Sequence, residues 1–260
     1  MVGGYNWATI RVLWARDLKR FFRQPSRVAG ALGQPMIFWA VIGGGMASTF
    51  KIPNLTMDYL EFFFPGVVLM VLVFASIFAS ISIIDDRNAG FLQAVIAGPG
   101  SRASMVVGKC LGSTTVALIQ AGIFLVFAPW AGFQLQEIDW LFLFLGMFLA
   151  SFGLTAIGFL VAWLLDSVQA YHAIQMTILV PLWVVSGAMF PADMSSKVFS
   201  ALVTLNPVAY GVSAVRHALY GGIAPIETVA NMSPLSTLVV LAGFVVASLG
   251  AAVAVCEVKR

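Results

Sequence analysis

Polar residues in this chain come in short clusters separated by long apolar runs, and the spacing of the clusters sets the expected elements. Crossing a hydrocarbon core as a helix takes about 20 apolar residues. Six runs meet that length: 28–50, 62–84, 105–127, 140–165, 171–190 and 235–256. None alternates polar and apolar positions as barrel strands of ~10 residues do, so backbone groups must be satisfied within helices. Ahead of the first run, Trp7, Ile10, Trp14, Leu18 and Phe21 recur at steps of three and four. That period predicts an amphipathic helix over 5–24, with Arg16, Lys19, Arg20 and Arg23 on its other side and Pro25 at its end. The pattern fits a helix lying in the membrane interface and is compatible with a simple basic anchor.

The polar interruption between the second and third runs begins Asp85-Asp86-Arg87. Either aspartate can cap a helix that starts at Arg87, and Gly98-Pro99-Gly100 stops it, so a short helix is expected over 86–98. Phe91, Leu92, Val95 and Ile96 form its apolar face. Two readings stand side by side: a docking knob that inserts Phe91 and Leu92 into a cytoplasmic partner, or an interfacial helix that only closes a loop. Beyond it, Gly108 and Gly112 form a G-x-x-x-G pair that lets another helix approach closely. Lys109 is expected to snorkel to the head groups, and Gln120, in mid-run, to hydrogen-bond a neighbouring helix. The 191–234 segment is broken by Pro191, Pro207, Gly211, Gly221, Gly222, Pro225 and Pro234, yet it is too apolar for a free loop. Two short helices dipping into the outer leaflet suit it, as does a small outer subdomain.

Composition narrows the class. Of 260 residues, 60% are hydrophobic and 10% charged, with a mean hydropathy of +0.97. Soluble domains carry about 25% charged residues. The expected fold is therefore an all-α integral membrane protein, a single 1–260 domain. Arg11, Arg16, Lys19, Arg20, Arg23, Arg27, Arg87, Arg102, Lys109, Lys259 and Arg260 fall on one side of the predicted spans, against Lys51, Lys197 and Arg216 on the other. The excess places both termini in the cytoplasm. The net charge of +3 is spread along that face as an orientation signal, and no nucleic-acid site is expected. Cys110 and Cys256 lie in or at the end of spans, so no disulfide framework is expected. Residues 1–27 lack the short apolar core of a cleavable signal peptide.

Catalytic chemistry is missing from the pattern. His172 and His217 are isolated, and no H-E-x-x-H or G-x-S-x-G occurs. No metal site is expected. No span carries a carboxylate near its centre, which disfavours an ion-coupled relay, and no internal repeat suggests an inverted-repeat transporter. Gly108-Lys109-Cys110 is as near as the chain comes to a nucleotide-binding P-loop, with Ala103 where the first glycine should stand. The chain itself is expected to bind no cofactor. Phe38, Trp39, Phe74, Phe78, Gln120, Trp183 and Met189 are candidate pathway residues, although ordinary helix packing accounts for the same apolar stripes.

Several runs together resemble the membrane subunit of ABC-2 type exporters. They are Phe64-Pro65-Gly66, Asp86-Arg87-Asn88-Ala89-Gly90-Phe91-Leu92, Gly98-Pro99-Gly100-Ser101-Arg102, Gly108-Lys109-Cys110-Leu111-Gly112 and Ala117-Leu118-Ile119-Gln120. Pro181 to Pro191, with Ser186-Gly187 and Phe190-Pro191, and Asn206-Pro207, Tyr210 and Arg216 to Leu219 continue the likeness in the same order. The resemblance implies six spans, an interfacial N-terminal helix, a coupling helix at 86–98 and two short re-entrant helices in 191–234. It also implies two copies of a cytoplasmic ATPase subunit carrying ATP and Mg, a second copy of this permease or a homologous one, and a place in the cytoplasmic (inner) membrane. ATP-driven closure of the partner pair would then push on Arg87, Phe91, Leu92, Gln93, Val95 and Ile96. An amphiphilic, lipid-like, drug-like or glycan substrate would move outward. The competing reading is an ATP-independent secondary transporter or channel.

Overall fold

The computed structural model of the chain describes residues 6–46, 57–98, 100–191, 197–222, 229 and 232–258. Lys51, Lys259 and Arg260 of the charge count, residue 5 of the expected N-terminal helix, residues 47–50 of the first expected span, Pro99, and 192–196, 223–228, 230 and 231 of the 191–234 segment fall outside it. Every regular element among the described residues is helical. In chain order these are α1 (Trp7–Phe22), α2 (Pro25–Phe38), α3 (Tyr59–Asn88), α4 (Phe91–Ala97), α5 (Arg102–Leu125), α6 (Trp140–Leu164), α7 (Val168–Trp183), α8 (Lys197–Leu205), α9 (Pro207–Leu219) and α10 (Pro234–Val258). Helix α2 runs on through a π-helical turn at Trp39–Gly43 into Gly44–Met46, and α7 through another at Val184–Ala188. Among the described residues, five helical runs are long and apolar enough to cross a membrane, namely α3, α5, α6, α7 with its π turn, and α10, and the bent pair of α8 and α9 would make a sixth if it counts as one span. Those five coincide with five of the six expected spans.

Helix α3 is the axis of the bundle. Residues Val67 to Leu72 are almost wholly buried, with α5 and α6 packed along it and α2, α7 and α9 against its other sides. The fully apolar circumference of its 62–75 stretch is what a helix surrounded by protein requires. Helix α10 packs chiefly on α6. Helix starts follow local chemistry: Ser101, Asp139, Ser167 and Asn206 each accept a backbone N–H of the first turn through a side-chain oxygen, and Pro25 and Pro207 occupy first positions where no N–H is needed.

Two expectations change here. The helix expected over 86–98 is shorter, because α3 continues through Asp85, Asp86 and Arg87 to Asn88. The chain breaks at Gly90, whose φ of 73° lies in the left-handed region that glycine enters without penalty. The aspartates therefore end a spanning helix and cap nothing at Arg87. The stripe expected on the N-terminal helix is also rotated. The face of α1 that packs on the bundle is Ile10, Leu13, Asp17 and Phe21, whereas Trp7 is 71% exposed and Trp14 half as much.

The G-x-x-x-G pair does admit a close helix, and that helix is α1. A Cβ on Gly108 would sit 3.1 Å from the Ile10 Cα, and one on Gly112 would sit 3.0 Å from the Asp17 Cβ.

The 191–234 segment contains two helices, α8 and α9, meeting at an 86° corner. Asn206 makes the corner: its Oδ1 accepts the Val208 N–H (2.9 Å) while its Nδ2 donates to the Leu182 carbonyl (2.6 Å). Tyr210 closes it by donating to the Thr204 carbonyl at 2.8 Å. Helix α9 is buried along almost its whole length against α6, α10 and α3. Replacing Asn206 by alanine should destabilise the protein by about 1–2 kcal/mol, the loss of a cap plus a buried hydrogen bond. Thermal unfolding in detergent reads this, and an unchanged midpoint would show that the corner is held by packing alone.

Candidate functional site

Where α3 ends, four elements converge: the last turns of α3, the short α4, the first turns of α5 and the middle of α1. All but α4 bring charge to an otherwise apolar place. Lys109 of α5 is 1% exposed. Its ammonium donates to Asp17 Oδ1 at 2.9 Å, to Asp86 Oδ2 and to the Ser82 hydroxyl. Arg16 grips both oxygens of Asp86 in a bidentate pair, each at 2.6 Å. Arg20 reaches Asp85 at 3.1 Å and Asp86 at 3.4 Å. Three cations thus meet three carboxylates, which is the condition for keeping ions out of water. Burial pushes the Asp17 carboxyl up from its ordinary value, against the opposing pull of Lys109.

Lys109 therefore does not snorkel. Its head sits between two carboxylates instead of at the lipid surface, because the glycines on either side of it let α1 close over the position. The sequence did hold a signal. In the spacing Ile10, Leu13, Asp17, Phe21 a carboxylate takes the place of an apolar residue on one helical face, and a lone buried acid calls for a cation.

The ion cluster is wired to α4. The Arg16 guanidinium stacks over the Phe91 ring, 3.8 Å from its centroid, a cation–π contact. Leu92 is 1% exposed and belongs to the core, so it cannot be an inserted docking side chain. Val95 and Ile96 are half-buried against the core, while Gln93, Ala94 and Ala97 are exposed. Arg87 lies in the last turn of α3 and donates to the carbonyls of Trp163 (2.8 Å) and Leu165 and to Asp166 (2.8 Å), clamping the α6–α7 turn. Arg102 donates to the Cys256 carbonyl at 2.6 Å, fastening the end of α10. Between these anchors a hollow of about 310 Å3 opens beside α4, lined by Arg87, Gln93, Ile96, Arg102, Trp163 and Asp166 among others.

The seven candidate pathway residues fall into two groups. Phe38, Trp39, Trp183 and Met189 gather at the opposite end of the bundle. There Phe38 meets the Trp183 ring edge-on at 6.4 Å and Trp183 Nε1 donates to the Gly66 carbonyl at 2.8 Å. Trp39 packs on Phe64 and Phe124, and the Met189 carbonyl accepts from Tyr59. Phe74 and Phe78 stack on each other. Phe78 and Gln120 border a small cavity of about 40 Å3 next to Asp17 and Arg20. The hydrogen bond expected of Gln120 is not made by its Oε1, which is buried and has no partner among the described residues. No cluster of metal-ligating side chains occurs among the described residues.

The motifs behind the resemblance also meet in space. Gly66 abuts Ala188, next to Gly187, whose φ of 77° turns the chain out of the α7 π turn. Arg216, buried on α9, donates to the Gly187 carbonyl at 3.4 Å and lies over the Phe62 ring. A model of the ABC-2 type transporter family matches residues 8–220. The chain is similar to the transport permease ycf38 of Cyanophora paradoxa, with 28% identity over 76% of this chain and 71% of that one. It is similar to the daunorubicin resistance ABC transporter permease protein DrrB1 of Streptomyces coeruleorubidus, at 23% over 82% and 75%. Nodulation protein J of Neorhizobium galegae shares 24% over 94% and 92%. A multi-pass bundle whose scattered motifs assemble into shared contacts, matched over most of its length, belongs to the ABC-2 type transporter family as a membrane transport permease.

Proposed function

We propose that this chain is the membrane half of an ATP-driven exporter, and that α4 with the hollow beside it receives a separate cytoplasmic ATPase subunit. The observation that carries the reading is the position of α4: a short helix with one exposed edge of small side chains and Gln93, backed by a buried ion cluster that joins it to α1, α3 and α5. A push on Phe91 would reach Arg16 and Asp86 directly, and through them Lys109 and Asp17. In this reading two ATPase copies carry ATP and Mg, the permease pairs with a second copy or a homologous chain, and both termini face the cytoplasm of an inner membrane. Relatives described as a drug-resistance permease and a nodulation protein support an amphiphilic cargo, lipid-like, drug-like or glycan, moved outward.

The docking edge is then Gln93, Ala94 and Ala97, with Phe91 behind it as transmitter. Ala94→Glu should lower substrate-stimulated ATPase activity of the reconstituted complex by about tenfold, a docking loss of ~1.4 kcal/mol. The amount of permease in the membrane and its melting midpoint should not change. Leu92→Asp serves as the contrast, since it buries a charge and should reduce the amount of folded protein itself. Unaltered coupling in Ala94→Glu would remove α4 from the docking role. Transport by this chain in vesicles without any ATPase would favour the secondary-transporter reading instead.

A further inference from the structure

Span-like helices α6 and α7 border a cleft that the ion cluster and α4 do not reach. Its walls are Leu154, Ile157 and Val161 of α6 and Ile174 and Ile178 of α7, with Val73 of α3 behind and Pro207 of α9 at one end. The volume is about 140 Å3, close to the apolar cavity of ~150 Å3 that accepts benzene. Ile157, Ile174 and Ile178 are partly exposed, so the cleft opens sideways, toward the surroundings of a membrane helix. Two side chains bring polar atoms to the wall: Tyr171, whose hydroxyl donates to the Gly158 carbonyl at 3.3 Å, and Gln175. Gln175 is 4% exposed and lines the cleft, and neither its Oε1 nor its Nε2 has a hydrogen-bond partner among the described residues. Buried amides are ordinarily paired, because an unmet donor or acceptor is destabilising.

We infer that this cleft is a binding site for an apolar chain carrying one uncharged group that both donates and accepts hydrogen bonds, a hydroxyl or an amide. The amide of Gln175 needs an acceptor for Nε2 and a donor for Oε1, and a hydroxyl or amide supplies both. Charge is excluded on two grounds. No ionised side chain lines the cleft, and Gln175 lies seven residues past Val168, about 10 Å along the axis at 1.5 Å per residue, where an ionised head group is costly to bury. The remaining wall is of a size to hold one ring or a short stretch of chain. A bilayer lipid with a free hydroxyl and an exported amphiphile with a neutral polar group present the same chemistry here. The inference stands whether or not the chain is coupled to an ATPase.

The test uses purified full-length protein in detergent with a long-chain fatty alcohol bearing a mid-chain diazirine. Controls are the alkane and the trimethylammonium amphiphile of equal length with the same diazirine. Photolabelling mapped by peptide mass spectrometry should fall on α6 and α7 around Gln175 for the alcohol alone, saturably. Gln175→Leu removes the unmet amide without adding volume to a tight core, so it should fold at least as well as the parent. It should weaken alcohol labelling by about tenfold, the loss of a hydrogen-bonded pair. Ile157→Trp, which fills the cleft, should abolish labelling. Competition by a lipid extract of the host membrane would identify a bilayer lipid as the natural occupant, whereas indifference to that extract would identify an exported amphiphile. Equal labelling by the alkane, or labelling unaffected by Gln175→Leu, would reduce the cleft to a surface wetted by any hydrocarbon and overturn the inference. Absence of labelling in the parent protein would overturn it too.

Discussion

Lys109→Met should be the most damaging single change in the chain, with a loss of about 3–5 kcal/mol, the range for removing one partner of a buried ion pair. Methionine keeps the length and apolar character of the lysine stem, so packing against α1 is largely preserved. What remains is a pair of carboxylates, Asp17 and Asp86, both previously held by one ammonium. Asp86 keeps Arg16 and Arg20. Asp17 loses the cation that offset its burial, so it is the group left unpaired. The double variant Asp17→Asn/Lys109→Met should therefore recover most of the loss, giving a strongly non-additive cycle. The pH dependence follows from the sign of the Asp17 shift. Its carboxyl is raised in the folded protein, so the folded state prefers the protonated form, and the penalty of the ionised form is relieved as pH falls. The deficit of Lys109→Met should shrink on acidification toward the carboxylate range, while the double variant should show no such change. Melting midpoints in detergent across pH measure both effects. Additive losses in the cycle would mean that the pair is not the source of the instability.

Gly66→Ala is the second large effect, at about 1–3 kcal/mol for overpacking a rigid contact. A Cβ there would lie 2.6 Å from the Ala188 Cβ and 2.9 Å from both its Cα and its carbonyl oxygen. Two of those three atoms are backbone and cannot rotate away. The added methyl also pushes apart the place where the Trp183 indole reaches the Gly66 carbonyl. Combining it with Ala188→Gly should rescue stability only in part, because the Cα and carbonyl contacts remain. Full rescue would show that the side chains alone collide, and no loss in the single variant would show that α3 and the α7 π turn slide freely. Thermal unfolding again decides, and comparing Gly122→Ala, a glycine with open space around it, controls for the change in helix propensity.

Much of the architecture was legible in the chain. The long apolar runs specify helices and their approximate limits, since twenty consecutive apolar residues leave the backbone no other way to pair its own groups in hydrocarbon. Gly98 and Gly100 around Pro99, and the glycines at 108 and 112, marked a stop and a close approach correctly. The 191–234 segment was readable as two short helices because its proline and glycine breaks flank apolar stretches. Less visible was which way each helix faces. On α1, Trp7, Val12, Trp14 and Phe22 are apolar and exposed, and Ile10, Leu13 and Phe21 are apolar and buried. The expected stripe mixed the two sets, taking Ile10 and Phe21 from the buried face and Trp7 and Trp14 from the exposed one, because apolar residues at steps of three and four cross from one to the other.

The same ambiguity explains the misplaced charges. Asp86 looked like a cap because an aspartate before a short apolar stretch usually is one, and Lys109 looked like a snorkelling anchor because its neighbours in sequence are small and apolar. Both readings rest on neighbours along the chain. The ion cluster instead joins residues 92 positions apart, as for Lys109 and Asp17, or 70 apart, as for Arg16 and Asp86. Composition and periodicity determined that this is a helical membrane protein and where its helices run, and the likeness of its motifs to a known family added the ABC-2 assignment. Only tertiary structure decided which helix faces meet, that Leu92 belongs to the core, and that Asp17, Asp86 and Lys109 share one buried site. Lipid is as apolar as a protein interior, so along a membrane chain hydrophobicity separates water from everything else but does not separate lipid from protein.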